Sequence, residues 1–129
     1  MYPSGPWRGY WEQIFWGRQA MRDLVLHFGD GQVEGSGIDI VGRFSFQGQY
    51  DQAGNVVLLK QYVGRHRVLY TGRYDGEGTI FGEWSIGELW RGLFALRPEK
   101  FTVPSSVGIV SIGAELPTRE EALPNPARN

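Results

Sequence analysis

The sequence predicts an all-β protein, an up-and-down antiparallel meander that closes into a barrel of about eight strands. Three observations support this fold class. Glycine accounts for 19 of the 129 residues, about twice its usual share of roughly 7%. Short runs of strand-forming residues alternate with Gly and Asp turns from about residue 7 to residue 98. No segment is long enough for the crossover helix that parallel strands require, so sequential hairpins are expected.

Eight strands are predicted in order along the chain. Apolar and polar residues alternate in several of them, as expected of strands with one buried face. In residues 44–50 the aromatic side chains fall on one side, and residues 66–74 separate likewise. Residues 14–24 are also compatible with a helical turn. The predicted strands span residues 7–13, 19–28, 32–38, 42–50, 55–63, 66–74, 78–86 and 91–97.

A glycine followed two residues later by an aromatic recurs within the predicted strands. The two residues of each pair share one face of the strand. Glycine normally weakens a strand, so its recurrence indicates a curved sheet in which the missing side chain leaves room for an aromatic neighbour. A small closed barrel needs such positions, and closure removes the edge strands. The pairs are Gly9 with Trp11, Gly48 with Tyr50, Gly72 with Tyr74, Gly82 with Trp84 and Gly92 with Phe94.

The chain divides into a predicted barrel domain, residues 1–98, and a C-terminal extension, residues 99–129. The extension is rich in proline, its stretch 107–112 has the composition of one added strand, and a mobile tail is expected beyond about Glu115. The N terminus lacks the basic and apolar regions of a secretory signal. No apolar run approaches the roughly 18 residues of a membrane span. A cytoplasmic location is therefore expected.

The composition excludes several functional classes. The chain has no cysteine, which excludes disulfides, thiol nucleophiles and Cys-based zinc sites, and its two histidines are too few for a His-rich metal site. Its 13 basic and 14 acidic residues balance to a formal charge of −1. Electrostatic attraction to nucleic acid or to an anionic membrane is not expected at such a balance. The sequence therefore predicts no cofactor, no metal, no nucleic-acid partner and no membrane partner.

Alternate loops of a meander share one end of the barrel. Tight Asp/Gly turns are expected to close one end, and more varied loops gather at the other end, the mouth. Loops carry function more often than the framework does, so the mouth holds the candidate ligand-binding residues. The tight turns are residues 29–31, 51–55 and 75–78, and the mouth loops lie around residues 14–18, 39–41, 63–65 and 87–90. The candidates are Trp16, Asp39, Arg43, Lys60, Tyr62, His66 and Trp90.

The register of the fifth strand decides whether two of these candidates point inward. With a three-residue loop after Tyr62, this residue pairs with His66 and Lys60 pairs with Val68, so Lys60, Tyr62 and His66 line the interior near the mouth together with Tyr70. With a two-residue loop, Lys60 and Tyr62 point outward, because a shift of one residue exchanges the faces. The length of the preceding turn favours the inward arrangement.

Two polar candidates have both a functional and a structural interpretation. Asp39 is either an inward carboxylate paired with Lys60 or Arg43, or a turn residue of the Asx type. His66 is either an acid–base group or ligand contact beside Tyr62 and Lys60, or a histidine at a solvated strand end.

The tryptophans divide into two groups. Trp11 and Trp84 belong to the glycine–aromatic pairs and are expected in the core. Trp16 and Trp90 belong to the mouth loops and indicate either a ligand lid or an oligomer interface.

The sequence resembles the calycin group, in particular the avidin/streptavidin-type and lipocalin-type barrels. The resemblance rests on the eight-strand meander, the opening Trp7-x-Gly9 and the text of residues 68–75. It implies a barrel that binds a small hydrophobic or amphipathic ligand at its open end. The polar residues that hold biotin in avidins have no match after Trp11, so biotin binding is not implied. The wider pattern is also similar to that of uncharacterised bacterial proteins.

Three functional hypotheses follow from this sequence. The first is a small-molecule-binding barrel, with an aromatic-lined cavity and a few polar groups that orient the ligand. The second is a solid-cored structural module that forms a homo-oligomer and needs no ligand. The third is an enzyme that uses His66 or Asp39 as general base with Lys60 as electrostatic partner, and it is the least favoured.

Overall fold

The fold is a closed antiparallel barrel of eight strands in chain order. A computed structural model of the protein describes residues 2–99. Each strand pairs with the next, and β8 pairs with β1 to close the barrel. The described residues form no helix, so the predicted fold class is confirmed. The strands are β1 (Gly5–Gln13), β2 (Gly17–Gly29), β3 (Gln32–Ile38), β4 (Arg43–Tyr50), β5 (Asn55–Tyr62), β6 (Arg67–Tyr74), β7 (Ile80–Ile86) and β8 (Trp90–Pro98).

Each strand begins and ends within two residues of its predicted bounds. Residues 14–24, whose sequence was also compatible with a helical turn, contain none. Residues 14–16 form a tight turn in which the Trp16 amide donates to the Gln13 carbonyl at 2.9 Å, and β2 follows directly. β2 is bulged, since its register with β1 shifts between Met21 and Leu24, and Asp23 there has φ of 53°. A bulge interrupts the alternation of inward and outward side chains, so the sequence of this segment lacks the regular pattern of a strand.

Inward side chains fill the barrel. In β5 the alternation sends Val56, Leu58 and Lys60 inward, each at most 1% exposed. Aromatic rings pack across the interior, with the Tyr70 ring centroid 5.2 Å from that of Phe46 and 4.6 Å from that of Phe94. Eight strands enclose a space that side chains can just fill. Further fully buried side chains are Leu26, Ile80 and Leu96.

Inward glycines allow this packing. Gly92 lies against the indole of Trp84, and a Cβ at Gly92 would come within 2.5 Å of Trp84 Nε1. Gly72 and Gly82 face each other across β6 and β7, and a Cβ on Gly82 would collide with the Thr71 carbonyl oxygen. The close-packing interpretation of the glycine–aromatic pairs is therefore confirmed at these positions.

The loops lie at two ends, as predicted. The β1–β2, β3–β4, β5–β6 and β7–β8 loops share one end, the mouth end. Tyr2 covers the opposite end, which we call the plugged end. Its hydroxyl donates to the Gly54 carbonyl at 3.0 Å, and the residue is 8% exposed. Its ring lies 4.9 to 6.3 Å from the ring centroids of Trp7, Phe28, Tyr50 and Tyr74.

The chain after the barrel is described only as far as Glu99, whose amide donates to the Pro6 carbonyl at 3.0 Å. The predicted strand at residues 107–112 and the predicted tail beyond Glu115 lie outside the described residues. Within residues 2–99, no helix is long and apolar enough to cross a membrane.

Candidate functional site

β5 places Lys60 and Tyr62 inside the barrel near the mouth end. Lys60 pairs with Val68 on β6, and the Tyr62 amide donates to the His66 carbonyl at 3.2 Å. The loop between these strands therefore has three residues, which is the register that the sequence favoured. Lys60 is 0% exposed and Tyr62 is 3% exposed.

The β3–β4 loop brings the Asp39 carboxylate to Lys60. Asp39 Oδ1 accepts hydrogen bonds from the amides of Val41 at 2.9 Å and Gly42 at 3.4 Å, as in an Asx turn. Asp39 Oδ2 lies 2.7 Å from Lys60 Nζ. Asp39 is thus both an inward carboxylate paired with Lys60 and a turn residue of the Asx type, because each carboxylate oxygen performs one of these two structural roles. Arg43, the other partner considered for Asp39, has an exposed side chain.

Asp39 Oδ2 is the centre of a larger network. It accepts hydrogen bonds from Lys60 Nζ at 2.7 Å, from the Tyr62 hydroxyl at 2.7 Å and from Trp11 Nε1 at 3.1 Å. Lys60 Nζ also donates to the Tyr70 hydroxyl at 3.1 Å. We call these five residues the buried polar cluster, and none of them is more than 6% exposed.

Aromatic rings surround the ammonium group of Lys60. Its Nζ lies 4.2 Å from the ring centroid of Phe44 and 4.7 Å from that of Tyr62, within the range of cation–π attraction. Burial lowers the pKa of Lys60 to about 8, with Asp39 acting in the opposite direction. Burial together with the Asp39 charge raises the pKa of Tyr62, and burial also raises that of Tyr70. The cluster therefore combines the Lys60–Asp39 ion pair with two phenols whose protonated form is favoured by burial.

The Asp39 carboxylate is fully engaged by hydrogen bonds. Asp39 accepts five hydrogen bonds through its two oxygens. Removing one member of a buried ion pair costs about 3–5 kcal/mol, since the other charge is left without compensation. The network therefore fixes the positions of β1, β5, β6 and the β3–β4 loop relative to one another.

The remaining four predicted site residues lie outside the cluster. The three-residue loop was expected to turn His66 into the interior, and this expectation is wrong: His66 precedes the first residue of β6 and is exposed. Its ring packs against that of Tyr62, with centroids 5.1 Å apart, and Arg43 lies at the start of β4. Trp16 is 61% exposed in the β1–β2 loop, and Trp90 is 56% exposed at the start of β8. The cluster includes Trp11, which sequence reasoning assigned only to the core. A buried indole N–H needs a hydrogen-bond acceptor, so a polar contact of Trp11 could have been expected from its assignment to the core.

The mouth loops carry a set of exposed apolar side chains, which we call the loop crown. Every mouth loop contributes, and the exposed fractions run from 56% for Trp90 to 97% for Phe15. The loops of the plugged end carry no large exposed apolar side chain among residues 2–99. The loop crown consists of Ile14, Phe15, Trp16, Ile40, Val63, Leu89 and Trp90.

The loops at the two ends carry opposite charges, although the exposed Arg73 and Arg97 lie at the strand ends next to the plugged-end loops. Four exposed arginines lie in or directly below the mouth loops, where Glu88 is an exposed acid and Glu12 is paired with Arg18 at 2.8 Å. The loops of the plugged end are acidic instead. The arginines are Arg43, Arg65, Arg67 and Arg91, and the acids of the plugged-end loops are Asp30, Asp51, Asp75 and Glu77. The formal charge of −1 conceals this separation.

A second exposed apolar surface lies on the outer wall of β5 and β6. Leu59 and Leu69 pair directly across the two strands and are 38% and 42% exposed. Val57, two residues before Leu59, is 46% exposed. We call these three residues the wall patch. The continuous apolar run at residues 56–59 indicates this patch in the sequence, because apolar and polar residues should alternate in a strand with one solvated face.

The outer wall also carries a hollow of about 550 Å³ at the bulge of β2. Trp7, Arg22 and Asp23 are among the residues that line it, and no predicted site residue does. It lies apart from the mouth end and the buried polar cluster.

No family model matches this chain, and no similar sequence is found among curated proteins. Its function is therefore inferred from the buried polar cluster, the loop crown and the wall patch.

Proposed function

We propose that the protein is a solid-cored structural module that self-associates into a homo-oligomer. The observation that carries this proposal is the buried polar cluster. Lys60 and Asp39, the two charged groups turned into the barrel near the mouth, are 0% and 3% exposed and are bonded to each other. A ligand entering the barrel would have to break this ion pair and displace aromatic side chains, which costs several kcal/mol.

The wall patch is the proposed contact between copies. β5 is apolar on its inner face, through Val56 and Leu58, and on its outer face, through Val57 and Leu59. The neighbouring strand β4 shows the contrast expected of a solvated wall, since its outward residues are Ser45, Gln47 and Gln49. A second apolar face, exposed on the outside of a closed barrel, supports a partner that covers it. A two-fold axis through the patch would let two copies bury the same surface against each other.

Light scattering coupled to size-exclusion chromatography tests this proposal. The wild-type chain is expected to elute as a discrete oligomer with a mass that is a multiple of 14.6 kDa. The variant Leu59→Lys/Leu69→Lys is expected to elute as a monomer with an unchanged circular dichroism spectrum. The control Phe81→Lys/Leu93→Lys makes the same change at two exposed apolar residues of β7 and β8, outside the wall patch, and should keep the oligomer. A monomeric wild-type protein, or equal behaviour of the two variants, would overturn the proposal.

A small-molecule-binding barrel is a second candidate. It is favoured by the inward orientation of Lys60 and Tyr62 beneath the exposed Trp16 and Trp90. An amphipathic ligand with an anionic head group would replace Asp39 as the partner of Lys60, and its apolar part would contact the two tryptophans. The eight antiparallel strands in meander order support a barrel of the calycin type, for which such a ligand is expected. A ligand of this kind would remain with the purified protein as added mass.

An enzymatic role for His66 or Asp39 has less support. The His66 side chain is exposed, and its ring contacts Tyr62 from outside the cluster. The two Asp39 oxygens already accept five hydrogen bonds. A general base needs a free lone pair directed at the substrate proton, and the five donors around Asp39 compete for that position.

A further inference from the structure

We propose that the loop crown attaches the barrel to an anionic lipid surface, with the barrel axis upright on the membrane. This inference concerns the opposite chemistry of the two ends and does not depend on self-association through the wall patch. The sequence predicted no membrane partner because its summed charge is close to zero. The attraction depends instead on where the charges lie.

The apolar tips of the crown are individually exposed. Phe15 is 97% exposed, Leu89 is 88% exposed and Val63 is 70% exposed, so these side chains do not cover one another. Large apolar surfaces of this kind mark interaction sites on soluble proteins. Separate protruding side chains are readily accommodated by a lipid layer, because lipids can pack around each of them. A protein partner would need a complementary pocket for every side chain. Tryptophans such as Trp16 and Trp90 prefer the boundary between head groups and acyl chains.

The backbone of Phe15 provides a second observation at the same place. Phe15 has φ of 75°, in the left-handed region that favours glycine and asparagine. A bulky aromatic there has a conformational cost, and its side chain receives almost no packing in return because it is nearly fully exposed. Such costs are typical of functional positions. An apolar environment outside the chain would supply the missing contacts.

The arginines determine which surface the crown fits. Arg43 and Arg67 are the first residues of β4 and β6, and Arg91 is the second residue of β8. They therefore lie one to a few residues below the tips, at the depth where lipid phosphates meet side chains that anchor a shallowly inserted protein. A basic residue close to an anionic membrane strengthens binding by about fivefold. The acidic turns of the plugged end face away from the membrane in this orientation.

The same charges disfavour a second copy as the occupant of the crown. A head-to-head dimer would oppose Arg43, Arg65, Arg67 and Arg91 with the same four residues of the other copy. Like charges brought together across an interface cost several kcal/mol, which corresponds to a loss of affinity of more than a hundredfold. The crown and the wall patch therefore have different partners.

Vesicle binding tests the proposal with the full chain. We expect sedimentation with vesicles of phosphatidylcholine and phosphatidylserine, and little with phosphatidylcholine alone. The emission of Trp16 and Trp90 should shift to shorter wavelength on binding, and the variant Trp16→Phe/Trp90→Phe should lose this shift. The buried tryptophans should contribute no change. Equal binding to both kinds of vesicle, or none to either, would overturn the proposal.

Matched variants separate the crown from the rest of the surface. Phe15→Asn/Leu89→Thr removes two apolar tips, and asparagine suits the backbone of residue 15, so the fold should be kept and vesicle affinity reduced at least tenfold. The control Phe81→Thr/Leu93→Thr removes similar side chains from the outer wall of β7 and β8, where they are 45% and 56% exposed. This control should bind vesicles as the wild type does. Equal affinities of the two variants would contradict the assignment.

Neutralising the basic ring tests the choice of lipid. Arg43→Gln/Arg65→Gln/Arg67→Gln should weaken binding to phosphatidylserine vesicles by about a hundredfold, from about fivefold per residue. Leu59→Lys/Leu69→Lys should keep the tryptophan shift even as a monomer, so failure of self-association and failure of membrane binding are separate results. If the wild-type protein does not bind vesicles and a crown variant changes the oligomeric mass, the crown contacts a second copy of the chain. That result would overturn the proposal.

Discussion

At the plugged end Tyr2 closes the barrel with an aromatic ring, whereas near the mouth Asp39 and Lys60 close it with an ion pair. Tyr2 comes from outside the barrel strands and packs on aromatic rings of the wall. Asp39 and Lys60 belong to a loop and a strand, and they hold these elements together through one shared network. The plugged end is apolar within and acidic outside. The mouth end is polar within, and apolar and basic outside. The comparison teaches that one barrel can close its two ends by different chemistry, while among residues 2–99 only the mouth end presents large exposed apolar side chains in its loops.

The largest effect is expected from breaking the ion pair. Asp39→Ala removes the acceptor of three buried donors and leaves Lys60 without its counter-charge in an apolar interior. The free energy of unfolding, measured by urea denaturation, should fall by about 3–5 kcal/mol. The control Asp39→Asn/Lys60→Met removes both charges while keeping an oxygen for the turn, and it should retain most of the wild-type stability. A loss below about 1 kcal/mol for Asp39→Ala would show that the pair does not hold the mouth end together.

A somewhat smaller effect is expected at the plugged end. Tyr2→Ala removes a ring that touches four others, and the free energy of unfolding should fall by about 3 kcal/mol. Tyr2→Phe removes only the hydrogen bond to the Gly54 carbonyl and should cost about 1 kcal/mol. Thermal or urea denaturation of the two variants measures the difference. Unchanged stability of Tyr2→Ala would mean that the N-terminal residues do not plug the barrel.

The smallest effect is an increase of stability with pH, which arises from Lys60 at the mouth end. Unfolded Lys60 keeps its proton up to its ordinary pKa of 10.5, whereas in the fold burial lowers this pKa to about 8. Between these values the unfolded chain binds more protons, so the free energy of unfolding should rise with pH. Above about pH 10 the unfolded tyrosines ionise, while the raised pKa values of Tyr2, Tyr62 and Tyr70 keep these residues protonated in the fold, so stability should then fall.

Urea denaturation at pH 7, 8, 9 and 10 measures this rise. The variant Asp39→Asn/Lys60→Met is the control, because it lacks the ion pair but keeps Tyr62 and Tyr70. Its stability should not rise between pH 8 and pH 10. Parallel profiles of the two proteins would contradict the assignment of the effect to Lys60.

Most of the fold was predictable because it depends on local patterns. The alternation of faces and the Gly and Asp turns placed each strand to within two residues. The inward orientation of Lys60 was also predictable, because loop lengths determine the register and the register determines the face. The bulge at Asp23 was not predicted, because an inserted residue removes the periodicity on which strand prediction depends.

The composition of the site was only partly predictable, for a physical reason. Asp39, Lys60 and Tyr62 were predicted together, but the hydrogen bond from Trp11 to Asp39 crosses 28 positions of the chain and leaves no pattern in the sequence. Tyr2 precedes the first strand, so it has no strand periodicity that would assign it to the interior. The separation of charges between the ends appears only after the barrel brings alternate loops together.

Native mass spectrometry of freshly purified protein tests most directly the claim that the barrel is filled by its own side chains. A spectrum with masses at integer multiples of the 14.6 kDa chain, and no added mass, is the predicted result. The same masses should appear for Asp39→Asn/Lys60→Met, because no ligand depends on the ion pair. A retained small molecule, seen as excess mass that is lost on denaturation and absent from this variant, would contradict the account.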